Sequence, residues 1–91
     1  MNGKYRLRWQ PSISRDMLEA TSRVDPATRE AILAAIADVE AVLESRADTA
    51  GESRDPGERL LISSPLSVSF SVNTRLREVF IFQVRVFKTQ N

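Results

Sequence analysis

The chain has 91 residues, which is enough for one domain with a modest core but not for two. It contains no cysteine and no histidine, so a disulfide framework, a thiol nucleophile, a Ser-His triad and a conventional zinc site are all excluded. The composition therefore predicts a single domain over residues 1–91, with no metal and no other cofactor.

The formal net charge is only +1, but the charges are segregated along the chain. Residues 1–15 carry four basic side chains and no acid, residues 16–58 carry eleven acids and four arginines, and residues 59–91 carry five basic side chains and one glutamate. If the two basic ends meet in the folded protein, they form one positive surface.

No part of the sequence indicates a membrane protein. The longest apolar run, residues 31–37, is too short to cross a bilayer. The first residues alternate basic and apolar side chains, which is not the pattern of a secretory signal. We therefore expect a cytoplasmic protein without a membrane partner.

Residues 4–10 alternate between apolar and polar side chains, which predicts a half-buried strand with a basic outer face. The two faces are Tyr5, Leu7 and Trp9 on one side and Lys4, Arg6 and Arg8 on the other. Pro11 ends the strand because proline cannot donate a hydrogen bond to the ladder.

Two helices follow this strand. Apolar residues fall at helical spacing from Ile13 to Val24, and Asp25 with Pro26 supplies the N-cap and first position of a second helix. The apolar stripe of that helix is Ile32, Ile36, Val39 and Leu43. The short connection predicts an antiparallel helical hairpin.

The last third of the chain is predicted to be sheet, after a loop over residues 47–58 that contains two glycines and a proline. Residues 59–63 form a short strand, and residues 66–72 alternate apolar side chains with Ser67, Ser69 and Ser71. In the final strand, residues 77–88, one predicted face is Phe80, Phe82, Val84 and Val86. The other face mixes Val79, Ile81 and Phe87 with Gln83 and Arg85.

These elements predict an α+β fold in two layers, with the helical hairpin packed on one face of an antiparallel sheet in the order β-α-α-β-β-β. The open face of the sheet then carries the basic residues of both ends of the chain. It presents Lys4, Arg6, Arg8, Ser67, Ser69, Ser71, Gln83 and Arg85.

The element order, the apolar strand over residues 66–72 and the loop and strand over residues 77–88 resemble the RelE/ParE superfamily of small toxins, from Tyr5 to Lys88. The resemblance implies that the open sheet face binds the target or the antitoxin. It also implies that an antitoxin segment wraps the toxin. In the ribonuclease branch, Lys and Arg on the last three strands, often with a C-terminal Tyr or His, cut messenger RNA on the ribosome; the gyrase-poisoning branch lacks that set.

Most of the ribonuclease set is missing from this chain. Ser67 stands where the ribonucleases have an Arg that opens the third strand, and Arg59 is the only basic residue on the second. Late in the last strand, Arg85 or Lys88 matches the expected Arg, but no Tyr or His follows. Each acid or base step contributes about 10²–10⁴ in rate, so we expect no efficient ribonuclease and assign no catalytic residue.

Two hypotheses follow from the sequence. The chain is a toxin-like component of a type II toxin–antitoxin pair, with an antitoxin-like protein as partner and RNA, the ribosome or another macromolecule as target. Alternatively, it is a non-catalytic protein-interaction module with a degenerate toxin fold, and a second copy of the chain is a further candidate partner. The candidate macromolecule-binding residues are Lys4, Arg6, Arg8, Arg59, Gln83, Arg85 and Lys88, and the candidate apolar contacts are Val79, Ile81 and Phe87.

Overall fold

The computed structural model describes residues 4–87. The elements in chain order are β1 (Arg6–Trp9), α1 (Pro11–Ser22), α2 (Pro26–Arg46), β2 (Glu52–Asp55), β3 (Glu58–Ser63), β4 (Leu66–Asn73) and β5 (Glu78–Val86). The five strands form one sheet in the order β1-β5-β4-β3-β2, and both helices pack on one of its faces. The two-layer α+β arrangement is therefore confirmed.

The sheet differs from the predicted one in two ways. First, β1 pairs with β5 in parallel, so the sheet is mixed rather than wholly antiparallel. Second, the predicted loop over residues 47–58 contains the edge strand β2, which turns back into β3 at Pro56 and Gly57. Gly57 has φ +80°, which suits the third position of a tight turn after proline. All four residues of β2 are polar and exposed, so the sequence has no apolar alternation from which this strand could be predicted.

Both helices direct an apolar stripe at the sheet. The buried residues are Ile13 and Met17 in α1 and Ile32, Ala35, Val39 and Leu43 in α2. Asp25 is the N-cap of helix α2, and its carboxylate accepts hydrogen bonds from the Thr28 hydroxyl at 2.6 Å and from the Thr28 backbone N–H at 3.2 Å. These bonds lower the pKa of Asp25 because they stabilise its charged form. No helix within residues 4–87 is both long and apolar enough to span a bilayer.

A β-bulge in β5 reverses the faces predicted for the first half of that strand. Phe70 pairs with Ile81 and Ser69 pairs with Gln83, which leaves Phe82 as one extra residue without a partner in β4. Before the bulge, Val79 and Ile81 are fully buried against the helices and Phe80 is exposed. After it the predicted faces hold, with Val84 on the core side and Gln83 and Arg85 exposed.

The bulge corrects two predictions. Val79 and Ile81 are core residues, not apolar contacts for a partner. Phe82, predicted to lie in the core, is only partly buried and is not among the residues that pack against the core. The parity of strand faces is fixed residue by residue, so one inserted residue reverses every face on one side of it.

Candidate functional site

The sheet face away from the helices is called the open face here. The strand registers place four rows of side chains across it. The rows are Arg6 beside Glu78 and Asn73; Arg8 beside Phe80, Ser71 and Glu58; Gln83 beside Ser69 and Leu60; and Arg85 beside Ser67 and Ile62. Serines of β4 therefore run down the middle, cations lie on β1 and β5, and apolar side chains lie on β3 and, at Phe80, on β5.

The cations on the open face do not form one cluster. Arg6 donates to the Glu78 carboxylate at 2.8 Å, so its charge is compensated locally. Arg8 and Arg85 are both exposed, but their rows cross β4 at Ser71 and Ser67, which are four residues apart. At about 3.3 Å per strand residue, this is a separation of about 13 Å. The basic ends of the chain thus share one face of the sheet but occupy its two ends.

Three other candidates have different positions. Lys4 is exposed and comes just before β1, and Lys88 lies outside the described residues. Arg59 is a correction: its register partner Phe70 is a core residue, so it lies on the helix side of β3. Its guanidinium donates to the Ala50 carbonyl at 2.6 Å and to the Gly51 carbonyl at 3.1 Å. Arg59 therefore anchors the segment that links α2 to β2.

The exposed apolar side chains of the open face come from other positions than the sequence predicted. Ile62 is 62% exposed and Phe80 is 41% exposed, and Leu60 is partly exposed beside them. Phe87 is also exposed, just beyond β5. The sequence does not distinguish Leu60 and Ile62 as outward-facing because residues 60–62 are all apolar. Their pairing with the serines of β4 places them on the open face.

A shallow depression of about 480 Å³ lies at the end of the open face near the β4–β5 hairpin. Its polar and aromatic lining consists of Arg8, Ser71, Asn73, Glu78 and Phe80. Arg8 supplies a cation and Phe80 an exposed ring. Among the described residues that line it, Glu78 supplies the carboxylate, and this carboxylate is engaged by Arg6. This chemistry suits the binding of an anionic group beside an apolar one.

The carboxylates of Glu58 and Glu78 lie on the open face, and that of Glu78 is engaged by Arg6. Tyr5, the only tyrosine of the chain, is 4% exposed and joins the core, with the Arg77 guanidinium 4.3 Å from its ring centroid. Within residues 4–87, no cluster of acidic side chains has the composition of a metal site.

A second concavity lies on the helix side. It is a groove of about 430 Å³ that Trp9 lines together with residues of both helices. Leu18 of α1 is 72% exposed and Leu33 of α2 is 53% exposed at this groove. Together with Met17 and Ile36, they make its lining largely apolar.

No family model matches the chain, and no curated protein matches it. Solved structures with a similar fold include a chain of the toxin–antitoxin complex RelBE2 from Mycobacterium tuberculosis, at 16% identity and a TM-score of 0.64 over 94% of each chain. They also include a chain of a chromosomal ParDE toxin–antitoxin system from P. aeruginosa. It has 21% identity and a TM-score of 0.63 over 92% of this chain and 97% of that one.

The isolated RelE toxin of E. coli is also similar, at 19% identity and a TM-score of 0.58, over 94% of this chain and 87% of that one. The three likenesses extend over nearly the whole of each chain. They confirm the fold that the sequence resemblance predicted, which is a RelE/ParE-like toxin fold.

Proposed function

We propose that this chain, which has the fold of the RelE/ParE toxins, is the toxin-like component of a type II toxin–antitoxin pair. The observation that carries the proposal is the likeness over 92–94% of the chain to proteins from RelBE and ParDE systems and to an isolated RelE toxin. The partner is an antitoxin-like protein, and the target is a macromolecule such as RNA or the ribosome.

The open face is the proposed binding surface for these macromolecules. It combines exposed cations, Arg8 and Arg85, with exposed apolar side chains, Ile62 and Phe80. Apolar groups beside cations on an uncovered sheet are typical of a surface that a partner covers. Fixed hydroxyl and amide groups between them, from the serines of β4 and Gln83, provide hydrogen-bonding capacity.

The proposed role is tested by expression with and without the partner. Induced expression of the chain alone is expected to slow growth of a bacterial host. Co-expression with the small protein encoded next to it is expected to restore growth and to yield a complex that co-purifies. The matched control is the same expression of a Phe70→Ala chain, which lacks a central core side chain. Normal growth with the chain alone, together with no complex, would contradict the proposal.

Efficient ribonuclease activity is not part of the proposed function. When the purified chain is added to a translation reaction, we expect no cleavage of ribosome-bound messenger RNA above background. Ser67 faces outward at the position of the missing Arg, and Glu78 is paired with Arg6 at 2.8 Å, so neither provides a free base for the 2′-hydroxyl. Primer extension along the message measures the outcome, with a ribonuclease of the same fold as positive control. Specific cuts that disappear in an Arg85→Ala variant would assign catalysis to this face.

The second candidate function is a non-catalytic protein-interaction module. The exposure of Ile62, Phe80 and Leu60 on the open face favours it, because a surface that binds only phosphate groups needs no apolar side chains. The two functions differ in their dependence on salt. The logarithm of the affinity for RNA falls linearly with the logarithm of the salt concentration. The affinity for a partner that binds through apolar contacts depends much less on salt.

A further inference from the structure

The open face carries opposite charges on its two sides. On β1 and β5, Arg8 and Arg85 are exposed cations. Asp55 of β2 pairs with Glu58 of β3, which puts both acids in the row that Arg8 begins. Within residues 4–87, no ion pair engages any of these four side chains. The β1 side of the face is therefore basic and the β2 side is acidic.

The other charged side chains of these outer strands already have neighbours of opposite charge. On the β1 side, the Arg6 guanidinium lies 2.8 Å from the Glu78 carboxylate. On the β2 side, the Arg54 guanidinium lies 3.5 Å from the Glu52 carboxylate. A molecule that covers the open face therefore meets uncompensated cations on one side and uncompensated carboxylates on the other.

The strand order gives this charge pattern a centre. In the order β1-β5-β4-β3-β2, the middle strand is β4, which presents Ser67, Ser69 and Ser71 on the open face. A twofold axis parallel to β4 would bring a second copy face to face with the first. It would place β4 on β4, β5 on β3 of the other copy and β1 on β2 of the other copy. The serines are small, so they would not hold the two sheets apart.

This axis matches the charges of the two copies. It keeps every row at its own level, so Arg8 of one copy would lie over Asp55 of the other, beside Glu58, and this contact would occur twice. Sheets packed face to face keep their strands within about 30° of one another, a shift that the long Arg side chain can follow. An axis across the strands would instead place β1 on β1 and Arg8 near Arg8. Charge complementarity fixes the register of an interface, and here it favours the axis along β4.

The apolar side chains and the size of the face fit the same arrangement. Ile62 on β3 and Phe80 on β5 are exposed on the two strands that flank β4, so each copy would cover those of the other. A sheet of five strands, each about 4.8 Å from the next and about 20 Å long, has a footprint of about 500 Å². This area is at the lower end of specific interfaces, which predicts a weak dimer.

We infer that two copies of this chain associate through their open faces as a twofold dimer, with Arg8 of each copy on Asp55 and Glu58 of the other. The dimer itself needs only the free chain. Its consequence rests on the proposed function, because the dimer covers the surface proposed for the antitoxin-like partner. The partner and the second copy then compete for that surface.

Sedimentation velocity of the purified chain measures the association, and we expect a dissociation constant of about 10–100 µM. Ser69→Arg places two bulky cations at the axis and is expected to leave the chain monomeric. Ser45→Arg is the matched control, because it makes the same change on an exposed position of α2 and is expected to leave the dimer intact. A monomer at about 500 µM, or equal association of the two variants, would overturn the inference.

Two charge reversals test the register. Arg8→Asp and Asp55→Arg each place like charges opposite one another at both contacts, so each chain alone is expected to associate about tenfold more weakly. An equimolar mixture of the two has opposite charges at both contacts and is expected to recover most of the lost affinity. Within one copy, these two positions are four strands apart, which is about 19 Å, so the recovery cannot arise inside one chain.

Arg15→Asp is the control for the charge reversals, because Arg15 is exposed on α1 and lies away from the open face. We expect it to associate like the original chain. A mixture of the Arg8→Asp and Asp55→Arg chains that associates no better than its components would show that the two copies do not meet in this register, and the inference would be wrong.

The sedimentation and growth measurements separate this inference from the proposed function. If the chain dimerises through this face but neither slows growth nor binds the antitoxin-like partner, the dimer stands and the proposed function is wrong. If the chain arrests growth and forms the complex with the partner, yet is monomeric alone at every concentration, the proposed function stands and the dimer is wrong.

Discussion

Replacing Phe70 by Ala is expected to lower the free energy of unfolding by about 3–5 kcal/mol, since it is a large-to-small change in a packed core. Phe70 is fully buried at the centre of β4, and its register partner across the sheet is Ile81, which is also fully buried. Urea denaturation followed by circular dichroism measures the loss. A lower midpoint urea concentration, with an unchanged slope of the unfolding free energy against urea concentration, would show that the native state is less stable but otherwise intact.

Phe82→Ala is the matched control because it removes the same atoms from the neighbouring strand. Phe82 is the extra residue of the bulge and is only partly buried, so we expect a loss of less than about 1.5 kcal/mol, the range of a partial burial of one phenyl ring. The difference between the two variants tests the bulge itself. If Phe82→Ala is as damaging as Phe70→Ala, then Phe82 lies in the core and β5 has no bulge.

The contrast between β4 and β5 shows what the sequence determines about this sheet. In β4, strict alternation of apolar residues with Ser67, Ser69 and Ser71 leaves one assignment of the two faces, and the structure agrees with it. In β5, both alternating sets contain large apolar residues before the bulge. Either set could therefore face the core with a similar burial of apolar area. The bulge residue decides which set does so, and no sequence pattern indicates where the bulge lies.

The basic residues show a similar division. The positions of Arg6 and Arg8 on the open face follow from the sequence, because Tyr5, Leu7 and Trp9 occupy the other side of the same strand and pack on the core. The sequence around Arg59 does not determine its face in this way, because residues 60–62 are all apolar and set no alternation. In the structure, Arg59 donates to the carbonyls of Ala50 and Gly51. These carbonyls come close to Arg59 only because of the course of the chain after α2, which the sequence does not indicate.

The candidate binding surface still has an apolar part, but different residues form it from those that the sequence predicts. Val79 and Ile81, which are predicted to be exposed, are buried in the core, and Ile62 and Phe80 are the exposed apolar residues of the open face. The exposed apolar side chains therefore lie on both sides of β4, the strand that carries the serines. The parallel pairing of β1 with β5, which the sequence did not indicate, places Arg8 next to Phe80 and leaves β1 at the edge of the sheet.

The segment from α2 to β2 supports the apolar side of the open face, and Gly51 is its most constrained residue. Gly51 has φ +64°, and a Cβ atom there would collide with the backbone carbonyl of Leu60 and come within 3.0 Å of the Leu61 Cα. We expect Gly51→Ala to cost about 1–2 kcal/mol for the left-handed conformation and about 1–3 kcal/mol more for the overpacking. Thermal and urea unfolding measure the total.

Gly57→Ala isolates the packing part of this cost. Gly57 also has a left-handed backbone, at φ +80°, but a Cβ atom there has no neighbour within 4 Å. We therefore expect it to lose only the conformational part, about 1–2 kcal/mol. Because Gly51 packs on the backbone of Leu60, the Gly51→Ala variant must also displace β3, and amide exchange at Leu60 and Ile62 is expected to accelerate in it but not in Gly57→Ala. Equal stability of the two variants would mean that β2 and β3 can shift freely, and the outward position of Ile62 would then be one of several arrangements of the open face.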